Sequence, residues 1–288
     1  MTPIATDHSA FDAAMLLIEA EGTRILYTGD FRRHGRKAAL VDRLMAGPPK
    51  GIAALVTEGT NLGQDKPVES EGALEDKFVD LFRRTKGRVF VEWSGQNIDR
   101  TVTLTRAAMR TGRILAIDLY TADVLERISE GTRLPRAGHP ALKVVITGRL
   151  AERYRANGRG EFVARMARHG ISAARLATGR HVVMLRGALI PDYAWKGVSP
   201  TAEDAYAHST WRGYLARDSR ALDWCRAGGA ELAYLHTSGH ASAADLRAFA
   251  AAVRPGIVVP VHGANWDSEA EGFGPVRRLA DGEPLVIG

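Results

Sequence analysis

From Ala73 to about residue 229, short apolar runs alternate with amphipathic stretches, and that alternation restricts the fold more than any other feature of the chain. "ALEDKFVDLFRRT" places Leu74, Phe78, Leu81 and Phe82 at helical spacing, and "RVFVEW" then reads as a strand. "IDRTVTLTRAAMRTG" and "ADVLERISEG" read as helices on either side of the strand "RILAID". The strands "ALKVVIT" and "HVVMLRG" enclose the helix "GRGEFVARMARHG". Strands separated by helices join in parallel, so the spacing predicts an α/β unit with a mostly parallel sheet.

The flanks read differently. "AAMLLIEA", the turn Glu21-Gly22-Thr23 and "RILYTG" predict a hairpin, and "GIAALVTEG" predicts a strand ending on an acid. At the far end, "ELAYLHT", "IVVPV" and "PLVIG" read as strands and "SAADLRAFAAAVR" as a helix. "EGTRLPRAGHP" reads as a loop within the middle unit, not as a linker.

Composition narrows the class of molecule. With 288 residues, 45% of them apolar and 25% charged, the chain has the profile of a soluble globular protein. Its longest apolar runs, "GIVVPV" and "KVVIT", fall far short of the roughly 20 residues of a membrane span, and no signal-peptide pattern opens it. The single cysteine, Cys225, rules out an internal disulfide, reads as a buried structural thiol and fits a reducing cytoplasm, the expected location. The net charge is +6 and arginine dominates it, as in "FRRHGRK". A polyanionic partner suits that balance, and a general compositional bias toward Arg and Ala accounts for it equally.

Chemistry-bearing side chains fall at the expected strand ends, where α/β proteins build their sites. "TDHSAFDA" puts His8 before a strand, "LYTGDF" ends one at Asp30, "ALVTEGT" at Glu58 and "PVHG" at His262, while His240 lies in "TSGHAS". His and Asp are the donors a borderline divalent ion such as zinc takes. Each residue also has an ordinary structural reading: Asp30 as a turn former, Glu58 as the start of a turn, and a histidine as a hydrogen-bonded cap. Ser242 is an N-cap candidate for the helix that follows it. "EWSGQNIDR", with Ser94, Gln96, Asn97 and Arg100, follows a strand and reads as a ligand-facing loop or a helix cap. His34 reads as part of a solvated basic loop, and His208 as structural or exposed.

In their order, "DHSAFDAAML", "YTGDFR", "VTEGTN", "HTSGHAS" and "PVHG" resemble the metallo-β-lactamase fold and, more narrowly, the β-CASP nucleases, the group containing ribonuclease J and the mRNA 3′-end cleavage nucleases. The match runs from residue 7 to 263. The resemblance implies a partial αββα sandwich made of residues 1–72 and 230–288, with a β-CASP α/β insertion over residues 73–229. It implies zinc ligation by His8, Asp30 and His262, with Asp30 bridging two ions in a complete family member. Glu58 and His240 match the family's acid and its histidine partner near the leaving group. Ser238, Gly239, Ala241 and Ser242 match the turn that cradles substrate phosphate. The implied activity is metal-dependent hydrolysis of nucleic-acid phosphodiesters, RNA above all.

One family element is missing. No His-x-His-x-Asp-His run precedes His8, and no two histidines stand two apart anywhere. The chain is therefore expected to be an N-terminally incomplete member, to hold zinc weakly or not at all alone, and to be inactive alone. A further expectation is that it works as a homo-oligomer or beside a chain that supplies the missing strands. Two other readings remain: a non-catalytic subunit binding nucleic acid or a partner, and a metallo-β-lactamase-fold hydrolase of a small substrate.

Overall fold

A computed structural model of the chain describes residues 1–64 and 68–287, so part of the expected first segment and the last residue of the expected closing strand lie outside the described residues. Eleven strands form among them: β1 (Thr2–Ala5), β2 (Ala14–Ala20), β3 (Thr23–Tyr27), β4 (Ala54–Glu58), β5 (Val89–Glu92), β6 (Leu115–Asp118), β7 (Leu142–Val145), β8 (Val182–Met184), β9 (Ala205–His208), β10 (Glu231–Tyr234) and β11 (Ile257–His262). The architecture is α/β, in two compact units: Met1–Glu71 with Ser238–Gly288, and Gly72–Thr237.

The first unit holds one five-stranded sheet in the order β1-β2-β3-β4-β11. Glu21 and Gly22 both take positive φ (50° and 82°), the turn whose twist matches a two-residue hairpin, so β2 and β3 pair antiparallel. β3, β4 and β11 run parallel, with Leu26 beside Leu55 and Leu55 beside Val258. Their carboxyl ends therefore share one edge. β1 pairs with β2 at the outside of the sheet, where the missing N–H of Pro3 is tolerated.

Inward-facing Met15, Leu26, Leu55 and Val258 pack with Val41 of the helix Ala38–Ala46 and with Leu246, Phe249 and Val253 of the helix Ala243–Val253. The last three recur at helical spacing and give that helix its apolar face. Phe31 and Phe249 meet with ring centroids 4.9 Å apart. The expected closing strand does not form: residues 284–287 are irregular and Val286 is 89% exposed.

The second unit is a six-stranded, all-parallel sheet in the order β10-β9-β5-β8-β6-β7. Its central strands are continuous buried runs, Val89-Phe90-Val91 and Val182-Val183-Met184 among them, as a sheet covered on both faces requires, while the edge strand β10 is exposed or half-buried. β9 ("AYAH") escaped the sequence reading because alanine carries little strand preference. Its pairing with β5 is set by a buried ion pair: the Arg88 guanidinium reaches the Asp204 carboxylate at 2.7 Å, and the Arg88 backbone N–H donates to it at 2.6 Å.

β10 pairs with β9, Leu232 beside Tyr206, so this unit extends to Thr237 and not to the expected residue 229. The run "ELAYLHT" carries no local mark of which sheet it joins. Cys225 is fully buried, and burial pushes its thiol pKa up, which suits the structural thiol expected of it. No helix among the described residues is long and apolar enough to cross a membrane.

Candidate active site

The shared carboxyl edge of β3, β4 and β11 builds the site. The Thr28 N–H still donates to Val56 O at 2.9 Å, and Gly29, at φ 55°, then turns the chain so that Asp30 follows directly. β4 ends at Glu58, and His262 at the end of β11 stands opposite it, after a shift of register between Pro260 and His262. The next loops are locked together by two glycines. A Cβ on Gly263, which has φ 103°, would stand 2.4 Å from the Gly59 carbonyl oxygen, and one on Gly59 would stand 2.3 Å from the Trp266 indole. That close approach lets the Gly59 N–H (2.7 Å) and the Trp266 indole N–H (3.0 Å) both donate to the His262 carbonyl.

Donor atoms of Asp30, Glu58, His240 and His262 lie within 4.8 Å of one another. The Asp30 carboxylate is 3.0 Å from His262 Nδ1 and 3.9 Å from His240 Nδ1. The fully buried Glu58 carboxylate accepts from the N–H groups of Phe31 (3.2 Å) and Thr60 (3.3 Å) and pairs with His240 Nδ1 at 2.9 Å. The His240 ring lies 5.4 Å from that of His262 and 5.9 Å from that of His8. His8 donates from Nδ1 to the Gly239 carbonyl at 2.7 Å, which directs its lone pair to Nε2, as an outer hydrogen bond does for a metal-ligating imidazole.

Burial is the strongest influence on both His8 and His240, and it lowers both pKa values. On His8 it prevails, keeping the ring below the usual range; on His240 the hydrogen bond and charge of Glu58, with the charge of Asp30, outweigh it and raise the pKa. One histidine is thus biased toward the neutral, metal-ligating form and its neighbour toward the protonated form. Imidazole and carboxylate donors this close together are the set a zinc-type ion takes. The atoms brought together here are those of Asp30, Glu58, His240 and His262; His8, expected as a ligand, is not among that group and lies against His240.

A second group of residues, unnoticed in the sequence, holds these parts in place. Arg32 is fully buried between Asp7 (3.7 Å) and Glu71 (3.4 Å) and donates to the Ser238 carbonyl at 3.1 Å. His34, expected to be solvated, is half-buried and donates from Nε2 to the same carbonyl at 2.8 Å. Asn61 spans the turn, its amide donating to Ser238 Oγ (3.2 Å) and to the carbonyls of His240 and Ala241 (both 3.0 Å). The only sequence sign of this clamp was the density of polar residues in "DFRRHG" and "TEGTN".

The four residues expected to cradle phosphate sit on this clamped turn. Ser242 is the helix cap: its hydroxyl accepts from the Asp245 N–H at 3.0 Å and donates to the Asp245 carboxylate at 2.7 Å. Ser238 Oγ accepts from the His240 N–H at 3.1 Å, Ala241 is fully buried, and Gly239 lies against His8, whose ring carbon would be 3.2 Å from an added Cβ. In the other unit, Asn97 caps its own helix by accepting from the Arg100 N–H at 2.9 Å, and Arg100 is buried, donating to the Ser209 carbonyl at 2.9 Å. The structural reading of "EWSGQNIDR" therefore accounts for these two side chains.

Residues 229–270 match the family described as "Zn-dependent metallo-hydrolase RNA specificity domain". The chain is 24% identical to ribonuclease J of Sinorhizobium meliloti over 99% of its own length and 50% of that protein's. It is 21% identical to ribonuclease J 1 of Streptococcus pyogenes serotype M3 over 91% of its length and 46% of that protein's. It spans about half the length of the curated relatives it matches. A crystal structure of a protein of unknown function from Enterococcus faecalis V583 shares the fold, with a TM-score of 0.70 at 19% identity, covering 96% of this chain and 61% of that one. Over residues 229–270, which carry His240 and His262 of the site, the chain is similar to Zn-dependent metallo-hydrolases. Along most of its length it is ribonuclease J-like.

Proposed function

We propose that this chain acts as a cytoplasmic, zinc-dependent ribonuclease that hydrolyses phosphodiester bonds in RNA. The observation that supports this best is the meeting of Asp30, Glu58, His240 and His262 within 4.8 Å at one sheet edge. The RNA-directed domain matched over residues 229–270, which contains both histidines, adds the substrate class.

Bound zinc supplies Lewis-acid charge that offsets the charge building on the phosphate. The residues do the rest. Asp30 and His262 would hold the metal, with His8 as a further ligand. Glu58 keeps His240 protonated through Nδ1, so that His240 Nε2–H faces the leaving oxygen as general acid. The turn at Ser238 and Gly239 lies against the substrate phosphate. A homo-oligomer or a partner chain completes the metal site, which the chain alone fills weakly.

The test is hydrolysis of a labelled single-stranded RNA by the full reading frame that encodes this chain, loaded with zinc. Products are expected from the wild type and none from Asp30→Ala or His240→Ala. Wild-type rates in either variant would overturn the proposal.

A further inference from the structure

β5, β9 and β10 of the second unit end in register, Glu92 beside His208 and His208 beside Tyr234, so these three side chains share one face at the carboxyl edge of the sheet. His208 is buried and doubly held, Nδ1 to the Glu92 carboxylate and Nε2 to the Thr210 hydroxyl, both at 3.0 Å. Its ring lies almost parallel to Tyr234 (21°, 6.0 Å), and the Arg212 guanidinium stands 4.1 Å from the centre of the Tyr234 ring. This rigid stack forms the footing of the segment after β9.

On that footing two large rings face solvent. Trp211 is 61% and Tyr214 is 52% exposed, and they meet edge to face at 5.5 Å. The indole lies across Gly213, where an added Cβ would come within 2.2 Å of it. Arg212 and Arg217 flank the rings, both exposed. Among the described residues neither has a carboxylate partner, and the one acid of the segment, Asp218, is taken by Arg220 at 2.7 Å.

We propose that Trp211 and Tyr214, with Arg212 and Arg217, form a stacking site for unpaired RNA bases. The proposal rests on the RNA-directed reading above. Aromatic faces accept any base, and guanidinium groups accept the phosphates between bases. A protein partner also favours exposed aromatics. The interleaved arginines, with the only acid neutralised, favour a polyanion that carries rings.

The experiment measures binding of the whole chain to a fluorescent single-stranded RNA in EDTA, where no metal-dependent cleavage occurs. A matched oligomer with abasic positions is titrated in parallel. Trp211→Ala and Tyr214→Ala are each expected to weaken binding to the normal RNA by about tenfold. Trp211→Phe retains most of the affinity. The abasic oligomer binds the wild type more weakly, and Trp211→Ala weakens it no further. Arg217→Ala flattens the salt dependence. Unchanged affinity in both alanine variants, with the wild type binding RNA, overturns the stacking site, points the surface toward a protein, and leaves the nuclease reading standing. A wild-type chain that binds no RNA overturns both.

Discussion

Replacing Arg32 by methionine keeps the length and apolar stem of the side chain and removes its charge. The guanidinium is fully buried beside two carboxylates that are themselves 0% and 1% exposed, those of Asp7 and Glu71. Water cannot reach the acids to take its place, so the variant removes a buried cation from between two buried carboxylates. Breaking a buried pair in this way costs about 3–5 kcal/mol, a large share of the roughly 5–15 kcal/mol that hold a domain together. The lost hydrogen bond to Ser238 O also frees the turn that carries His240.

Urea unfolding followed by hydrogen exchange of β3 and β4 peptides reads this unit alone. With slopes of about 1–3 kcal/mol per molar, the midpoint is expected to fall by roughly 1–5 M with the slope unchanged. Asp7→Asn added to Arg32→Met removes one stranded charge and is expected to restore part of the loss. A single-variant loss below about 1 kcal/mol, the scale of an exposed pair, would refute the assignment of Arg32 as the clamp.

Other perturbations have equally definite outcomes. Burial alone raises the Asp123 pKa, but Arg159, Arg127 and Tyr154 outweigh it and bring it to about 2 from 3.8. A depressed carboxylate stabilises the fold above its unfolded pKa, so this contribution is lost as pH falls from about 4 to about 2; Asp123→Asn removes that part of the acid-unfolding curve measured by circular dichroism. Ser242→Ala deletes a helix cap and is expected to lower stability by about 1 kcal/mol while RNA hydrolysis by the zinc-loaded full reading frame persists. A fall in activity beyond the stability loss would return Ser242 to phosphate binding. Gly263→Ala forces a side chain into positive φ and against the Gly59 carbonyl. It is expected to destabilise the fold by at least about 1–3 kcal/mol in thermal melts and to weaken zinc uptake, because the same loop carries His262.

Much of the scaffold was legible because it is written locally. Unbroken apolar runs marked most strands of the parallel sheet, helical spacing marked Leu246, Phe249 and Val253, and the pair at Glu21-Gly22 marked a hairpin. Asp30, Glu58 and His262 were legible too, since each closes a strand whose own pattern is clear. The failures share a different character. β9 is alanine-rich and owes its place to the Arg88–Asp204 ion pair, and β10 fits either sheet until β9 claims it. The run at 284–287 looks like a strand yet stays irregular.

The sequence by itself therefore determined which residues become strands and helices, and which chemical groups stand at their ends, because backbone preference and burial pattern act over a few neighbouring residues. Only the tertiary structure decided that Arg32 and His34 grip the carbonyl of Ser238 and that His208 anchors a stack. Those outcomes depend on groups up to about two hundred positions apart meeting where water is excluded, and no local pattern specifies which distant donor will satisfy a buried acceptor.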